Sequence, residues 1–140
     1  MKAERYLLQI AEAEQKIEDN VAEIQRLEAL ADNISPHLSE VKVKSTPNPH
    51  RAQEVWARIA DMQNELLSDI DDLIDLKKEV KTTLEKLPPS EYDVLYRFYV
   101  LRQPIQLIAT KTHYSRPTIY KIKQRGIEMI QKILDEDKRV

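Results

Sequence analysis

Between Val94 and Ile127 the chain carries seven basic residues and no Asp or Glu. They are Arg97, Arg102, Lys111, Arg116, Lys121, Lys123 and Arg125. Lys and Arg neutralise phosphate oxygens. They also address guanine O6 and N7, and a Gln such as Gln124 can address adenine. Elsewhere the chain is acidic, since its formal net charge is −2. Residues 1–87 hold 12 Lys or Arg against 18 Asp or Glu, whereas residues 88–140 hold 10 against 6. A basic segment sorted this sharply makes nucleic acid the expected partner of the second part.

Other chemistries find less support. The chain has no Cys, so disulfides and thiolate metal sites are excluded. His37, His50 and His113 are too scattered for a ligand set, and no Gly-rich phosphate loop exists. His113 and Ser115 have turn and cap explanations and no third orienting group, so no nucleophile–base pair is read from them. Asp69, Asp71, Asp72 and Asp75 are spread around a helix and read as a solvated face rather than a Mg²⁺ or Ca²⁺ site. No enzyme activity, metal or cofactor is expected. The start of the chain has charges where a signal peptide needs an apolar run, and no apolar run approaches the roughly 18 residues of a membrane span. The expected location is cytoplasmic, without a membrane partner.

The elements that must position the basic residues read as helices throughout. One Gly and few aromatics argue against an all-β domain. Residues 2–34 carry Leu7, Ile10, Ile17, Val21, Ile24, Leu27, Ala31 and Ile34 on one helical stripe. Ser35-Pro36 starts a break that Thr46-Pro47-Asn48-Pro49 ends, with Val41–Lys44 unassigned. Asn48 suits an N-cap and Pro49 a first helical turn. A second helix is then expected over 49–87, with a seam at Val55, Ile59, Met62, Leu66, Asp69, Leu73, Leu76, Val80, Thr83 and Leu87. This is a coiled-coil repeat with two polar interruptions, of which Asp69 is expected to pair with Lys or Arg across the bundle. Two helices of similar length joined by a Pro-rich loop predict a long antiparallel hairpin. Leu8, Leu30, Trp56, Leu67, Ile70, Ile74 and Leu84 widen the apolar face beyond one seam. Trp56, Leu67, Ile70, Ile74 and Leu84 are therefore the expected oligomerisation surface, making a dimer or higher homo-oligomer; the alternative is that the C-terminal domain folds back over this face.

Leu87-Pro88-Pro89-Ser90 marks the boundary between an acidic hairpin, residues 1–87, and a basic domain, residues 88–140. Ser90 is expected to cap a helix over 91–102, with Asp93 at the capping-box position. Tyr92, Tyr96, Phe98 and Tyr99 fall mostly on its core side. Pro104 opens a short helix to about 111, Thr112-His113-Tyr114 turns, Ser115 caps, and a final helix runs over 116–134. Residues 135–140 read as a frayed tail. Ile119, Ile122, Gly126, Met129 and Ile133 form the inward stripe of the last helix. Arg116, Pro117, Tyr120, Lys121 and Gln124 lie opposite, flanked by Thr118, Lys123 and Arg125. The spacing is that of a DNA-reading helix–turn–helix. Candidate DNA-binding residues are Lys111, Ser115, Arg116, Thr118, Tyr120, Lys121, Lys123, Gln124 and Arg125. Of these, Lys111, Lys123 and Arg125 are placed for phosphates.

The run Leu87-Pro88-Pro89-x-Glu91-x-x-Val94-Leu95-x-x-x-Tyr99, followed by Ile108-Ala109, Ser115-x-x-Thr118-Ile119 and Arg125-Gly126, resembles region 4 of sigma-70-type factors over about residues 87–134. A sigma-like domain behind an acidic hairpin is similar to prophage late-gene regulators of Gram-positive bacteria of the ArpU/RinA type and to a related uncharacterised phage family. The resemblance implies an all-α fold, a coiled-coil-like hairpin followed by a small region 4-like helix–turn–helix domain. It also implies a regulator of phage transcription that binds double-stranded DNA. His113 and Arg102 stand where such domains commonly have Gly, Thr112 where a core Leu is usual, and Pro117 at the start of the reading helix. Two other readings compete: an adaptor contacting RNA polymerase or another regulator, and a phage DNA-packaging recognition subunit.

Overall fold

The computed structural model describes residues 2–40 and 49–139. Their regular structure is entirely helical: α1 (Ala3–Glu40), α2 (Pro49–Leu84), α3 (Pro89–Leu95), a π-helical turn (Tyr96–Val100), α4 (Ile105–Thr112) and α5 (Arg116–Arg139). The unassigned Val41–Lys44, the expected cap Asn48 and the side chain of Ile34 lie outside the described residues. The break expected at Ser35-Pro36 does not occur, since α1 runs on to Glu40. The missing N–H of Pro36 deprives the carbonyl of Asp32, and Asp32 is exposed to water.

Packing divides the chain into two compact units. A central unit comprises Gln15–Asp72, and a split unit comprises Met1–Glu14 with Leu73–Val140. The boundary expected at residue 87 thus falls inside the split unit. The cause is a shared core in which Leu7 and Ile10 of α1 and Val80 and Leu84 of α2 are buried with Leu95, Tyr99, Val100 and Ile130. Leu84 is completely buried there, which corrects its expected place on an oligomerisation surface. The side chain serves its own unit's core and has no area left for a partner.

In the central unit, Ile24, Leu27, Ala31 and Ile59 form a second core, with Val55, Met62 and Leu66 against it. Asp69 meets α1 earlier in the sequence. Its Oδ1 lies 3.6 Å from Lys16 Nζ, and its Oδ2 accepts from Asn20 Nδ2 at 3.4 Å. Low residue numbers of α1 therefore pair with high ones of α2, and the two segments run antiparallel within this unit. The second polar seam position behaves likewise in the split unit, where the hydroxyls of Thr83 and Tyr6 share a hydrogen bond of 3.0 Å. Polar residues in an apolar seam penalise any register that leaves them without partners.

The helices of the basic segment start and stop for local reasons. The cap expected from Ser90 is not formed. Pro88 occupies the N-cap and Pro89 the first helical position, where a missing N–H costs nothing. Ser90 instead donates to Glu91 Oε2 at 2.6 Å, and Asp93 accepts from Arg97 Nε at 2.9 Å. The single helix expected over 91–102 widens into the π-helical turn. There Leu101 N–H donates to the Tyr96 carbonyl at 3.0 Å and Gln103 N–H to the Arg97 carbonyl at 2.9 Å. Arg102, with φ 55°, then redirects the chain to Pro104, the N-cap of α4. His113, with φ 63°, ends α4 and donates its N–H to the Ala109 carbonyl at 2.9 Å. Both left-handed residues stand at the positions where Gly was the anticipated residue, and a non-Gly side chain there costs about 1–2 kcal/mol. Residues 135–139 are helical rather than frayed, and Gln131 Nε2 donates to Asp135 Oδ1 one turn on at 3.0 Å.

Candidate nucleic-acid interface

The α5 surface is built from its buried side outward. Ile119 and Ile122 are buried with Val94 and Ile108 beneath α4, and Phe98 and Ala109 pack against them. Gly126 brings α5 close to α3. A Cβ at this position would lie 2.6 Å from Leu95 Cδ1 and 3.0 Å from its Cγ. Ile130 is completely buried one turn further, whereas Met129 and Ile133 of the expected inward stripe are only half-buried. The stripe is therefore rotated slightly from the expected one.

Three residues link α4 to α5. Thr112 Oγ1 donates to the Ile108 carbonyl at 2.6 Å, so the residue standing where a core Leu is usual closes the end of α4 instead. Ser115 caps α5 as expected. Its Oγ accepts from the Thr118 N–H at 3.3 Å and shares a 2.8 Å hydrogen bond with the Thr118 hydroxyl. Ordered caps fix the direction in which the next turn of α5 projects.

With its inner face buried, α5 leaves Arg116, Pro117, Tyr120, Lys121 and Gln124 exposed together. The Tyr120 side chain is 55% exposed, high for a large aromatic with nothing over it. Thr118, Lys121, Gln124 and Arg125 line an open depression of about 370 Å³. Gln124 is 3.5 Å from Glu128 Oε1, a contact long enough to be exchanged for a ligand. Arg116 and Lys121 have no acidic partner among the described residues, and the same holds for Lys111 in the last turn of α4.

The remaining basic residues are engaged by the protein itself. Arg125 Nη2 lies 3.6 Å from Oε1 of Glu91, a carboxylate on a residue only 4% exposed. Lys123 Nζ stands 4.2 Å from the centroid of the Phe98 ring and 5.7 Å from that of Tyr99. Its charge rests on aromatic faces, which anchors its stem to the domain. Arg97 pairs with Asp93, and Arg102 Nη1 with Glu14 Oε2 at 3.0 Å. The basic residues thus fall into a free set, Lys111, Arg116 and Lys121, and a set committed to intramolecular partners. No family model, curated protein or solved structure matches this chain. Among the described residues no group of His, Asp or Glu could hold a metal ion, and no helix is long and apolar enough to cross a membrane.

Glu14 shows how the committed set is held. Its Oε1 also receives Lys77 Nζ at 2.8 Å. Burial pushes the Glu14 carboxyl up, but hydrogen bonds from Lys77 and Arg102 outweigh it and hold the group below its usual 4.5. A carboxyl lowered on folding binds fewer protons in the native state. Its contribution is complete above the unfolded value of 4.5 and lost as pH falls through the lower folded value. The stability difference between the wild type and Glu14→Gln should therefore be constant from neutral pH down to about 5 and shrink below 4.5. Urea melts of both proteins across pH 3–7 would check this, and a difference independent of pH would exclude it.

Sequence reasoning missed Glu91 as a partner of Arg125 and Phe98 as the seat of Lys123. Both contacts are made between helices. Glu91 and Phe98 lie within Leu87–Tyr99, and Lys123 and Arg125 lie on α5, but no periodicity relates one stretch to the other.

Proposed function

We propose that this protein is a sequence-specific reader of double-stranded DNA that acts in transcription regulation. Residues 88–140 serve as a helix–turn–helix with α5 in the major groove. The reading rests chiefly on one observation: Arg116, Tyr120, Lys121 and Gln124 share the exposed stripe of α5, with both cations unpaired among the described residues. In the groove, Arg116 and Lys121 would address guanine and Gln124 adenine, while Lys111 would meet phosphate. The region 4-like order of residues supports a regulator of phage genes. The central part of α2 supports self-association, because Trp56 and Leu67 are 46% and 62% exposed. A pair of reading helices would then suit half-sites about 34 Å apart or a multiple of that.

A salt titration of fluorescence anisotropy on a selected duplex and a random duplex tests this reading. Lys121→Ala should cost about 1–3 kcal/mol on the selected duplex and leave random DNA nearly unaffected. Lys111→Ala should weaken both duplexes alike and lower the salt slope by about one unit. Arg125→Ala should change the slope less than Lys111→Ala, because Glu91 already neutralises part of its charge. Absence of salt-sensitive binding to either duplex would reject DNA reading.

A further inference from the structure

Glu91 is the one buried charged residue among the described residues. It lies in the first turn of α3. The backbone of α5 passes close by, since a Cβ at Gly126 would lie 3.6 Å from Glu91 Cβ. Both carboxylate oxygens are engaged. Oε2 accepts from the Ser90 hydroxyl at 2.6 Å, and Oε1 lies 3.6 Å from Arg125 Nη2. Arg125 stands between two surroundings. On one side is this buried carboxylate. On the other is water, because its side chain is 59% exposed and lines the open depression of α5 with Thr118, Lys121 and Gln124.

The other committed cations can leave their partners at little cost. Asp93, the partner of Arg97, is 43% exposed, so water solvates it when Arg97 departs. Glu14 keeps Lys77 at 2.8 Å when Arg102 departs. Lys123 rests on the rings of Phe98 and Tyr99 and leaves no ion behind. Glu91 is different. Without Arg125 its carboxylate keeps one hydrogen bond, from Ser90, and no counter-ion among the described residues. Breaking an exposed ion pair costs little, whereas a buried charge deprived of its partner is strongly destabilising. A DNA phosphate that takes Arg125 must offset that loss, so the contact gains little.

We propose that Glu91 is an intramolecular counter-ion that withholds Arg125 from duplex phosphate and so limits attraction to DNA of any sequence; this rests on the reading of α5 as the DNA-contacting helix. Affinity for arbitrary DNA grows with each phosphate that a protein neutralises. A basic surface with every cation free would be held by any duplex. Glu91 keeps Arg125 beside the exposed stripe of α5 yet takes its charge out of that sum. Arg116 and Lys121, without acidic partners among the described residues, keep theirs for the groove.

The test is a salt titration of fluorescence anisotropy on a random duplex, using the full chain as wild type, Glu91→Gln, Arg125→Ala and the double variant. Glu91→Gln keeps the shape of the side chain and frees Arg125. It should bind the random duplex a few-fold more tightly at about 0.1 M salt and steepen the salt slope by up to about 0.9. Arg125→Ala should change the slope by well under that amount. The double variant should match Arg125→Ala, because no cation is left to release. Equal tightening by Glu91→Gln with and without Arg125 would overturn the assignment, since net charge alone does that. So would a Glu91→Gln slope equal to that of the wild type. Thermal melts establish that each variant folds. If Glu91→Gln does not fold, Arg125→Ala decides alone. A loss of about one unit of slope would mean that Arg125 already meets phosphate, and would overturn the assignment, whereas a much smaller loss supports it. A wild type that binds with salt sensitivity while the variants depart from this pattern removes the role of Glu91 only. A wild type without salt-sensitive binding removes DNA reading, and the role of Glu91 with it.

Discussion

Leu84→Ala should destabilise the protein by about 2–5 kcal/mol, the usual range for a large-to-small change at a closed core position. Leu84 is completely buried and shares its core with Leu7, Ile10 and Val80. Truncation removes buried methyl groups and leaves a cavity between helices that cannot easily collapse onto it. The companion substitution is Leu67→Ala on the same helix. Leu67 is 62% exposed, so its own fold should change by no more than about 0.5 kcal/mol. Its expected effect is on association, shifting sedimentation toward the monomer. Urea unfolding at low protein concentration would measure the first effect. Similar losses of stability in both variants would contradict the assignment of Leu84 to the core and Leu67 to a free face.

Gly126→Val should cost about 2–3 kcal/mol, toward the upper part of the range for overpacked cores. The first added atom already falls 2.6 Å from Leu95 Cδ1 and 3.6 Å from Glu91 Cβ. Leu95 is completely buried and has little room to retreat. Gly126→Ala is a useful contrast. It gains about 1 kcal/mol of helix propensity, which offsets much of its clash. Valine gains less propensity and adds two further methyl groups. Because Gly126 sets the approach of α5 to α3, the Val variant should also lose affinity for the selected duplex. A Val variant as stable as the wild type would show that the helices separate freely at this point.

The fold was legible wherever a side chain's burial follows from periodicity along one helix. Ile24, Leu27 and Ile59 sit in the core as their stripes require, and even the polar seam positions Asp69 and Thr83 found partners on α1. The exposed stripe of α5 was legible for the same reason. Features that depend on two separate elements were not. Along α2 alone Leu84 reads as surplus apolar area, and only the core it shares with Leu95 and Ile130 decides that the chain's own later helices, rather than a second copy, take it up. Lys123 and Arg125 looked free because Phe98 and Glu91 come from other helices. Local competition explains the rest: Pro89 starts α3 ahead of Ser90, and α1 tolerates Pro36 where Asp32 is open to water. The left-handed turns at Arg102 and His113 were visible only as positions where glycine is customary.

The split unit also sets an order of events during synthesis. Gln15–Asp72 emerge as one continuous segment, so the central unit can close while residues 73–140 are still being made. Leu7 and Ile10 leave the ribosome first, yet their covering residues Leu95 and Ile130 come last. At about 5–20 residues per second, residues 73–140 take roughly 3–14 s to appear. For that interval the first turns of α1 present an amphipathic face to the nascent-chain environment. The helix whose Leu7 and Ile10 later enter this core therefore relies, while young, on a chaperone or on its own charged residues to stay out of aggregates.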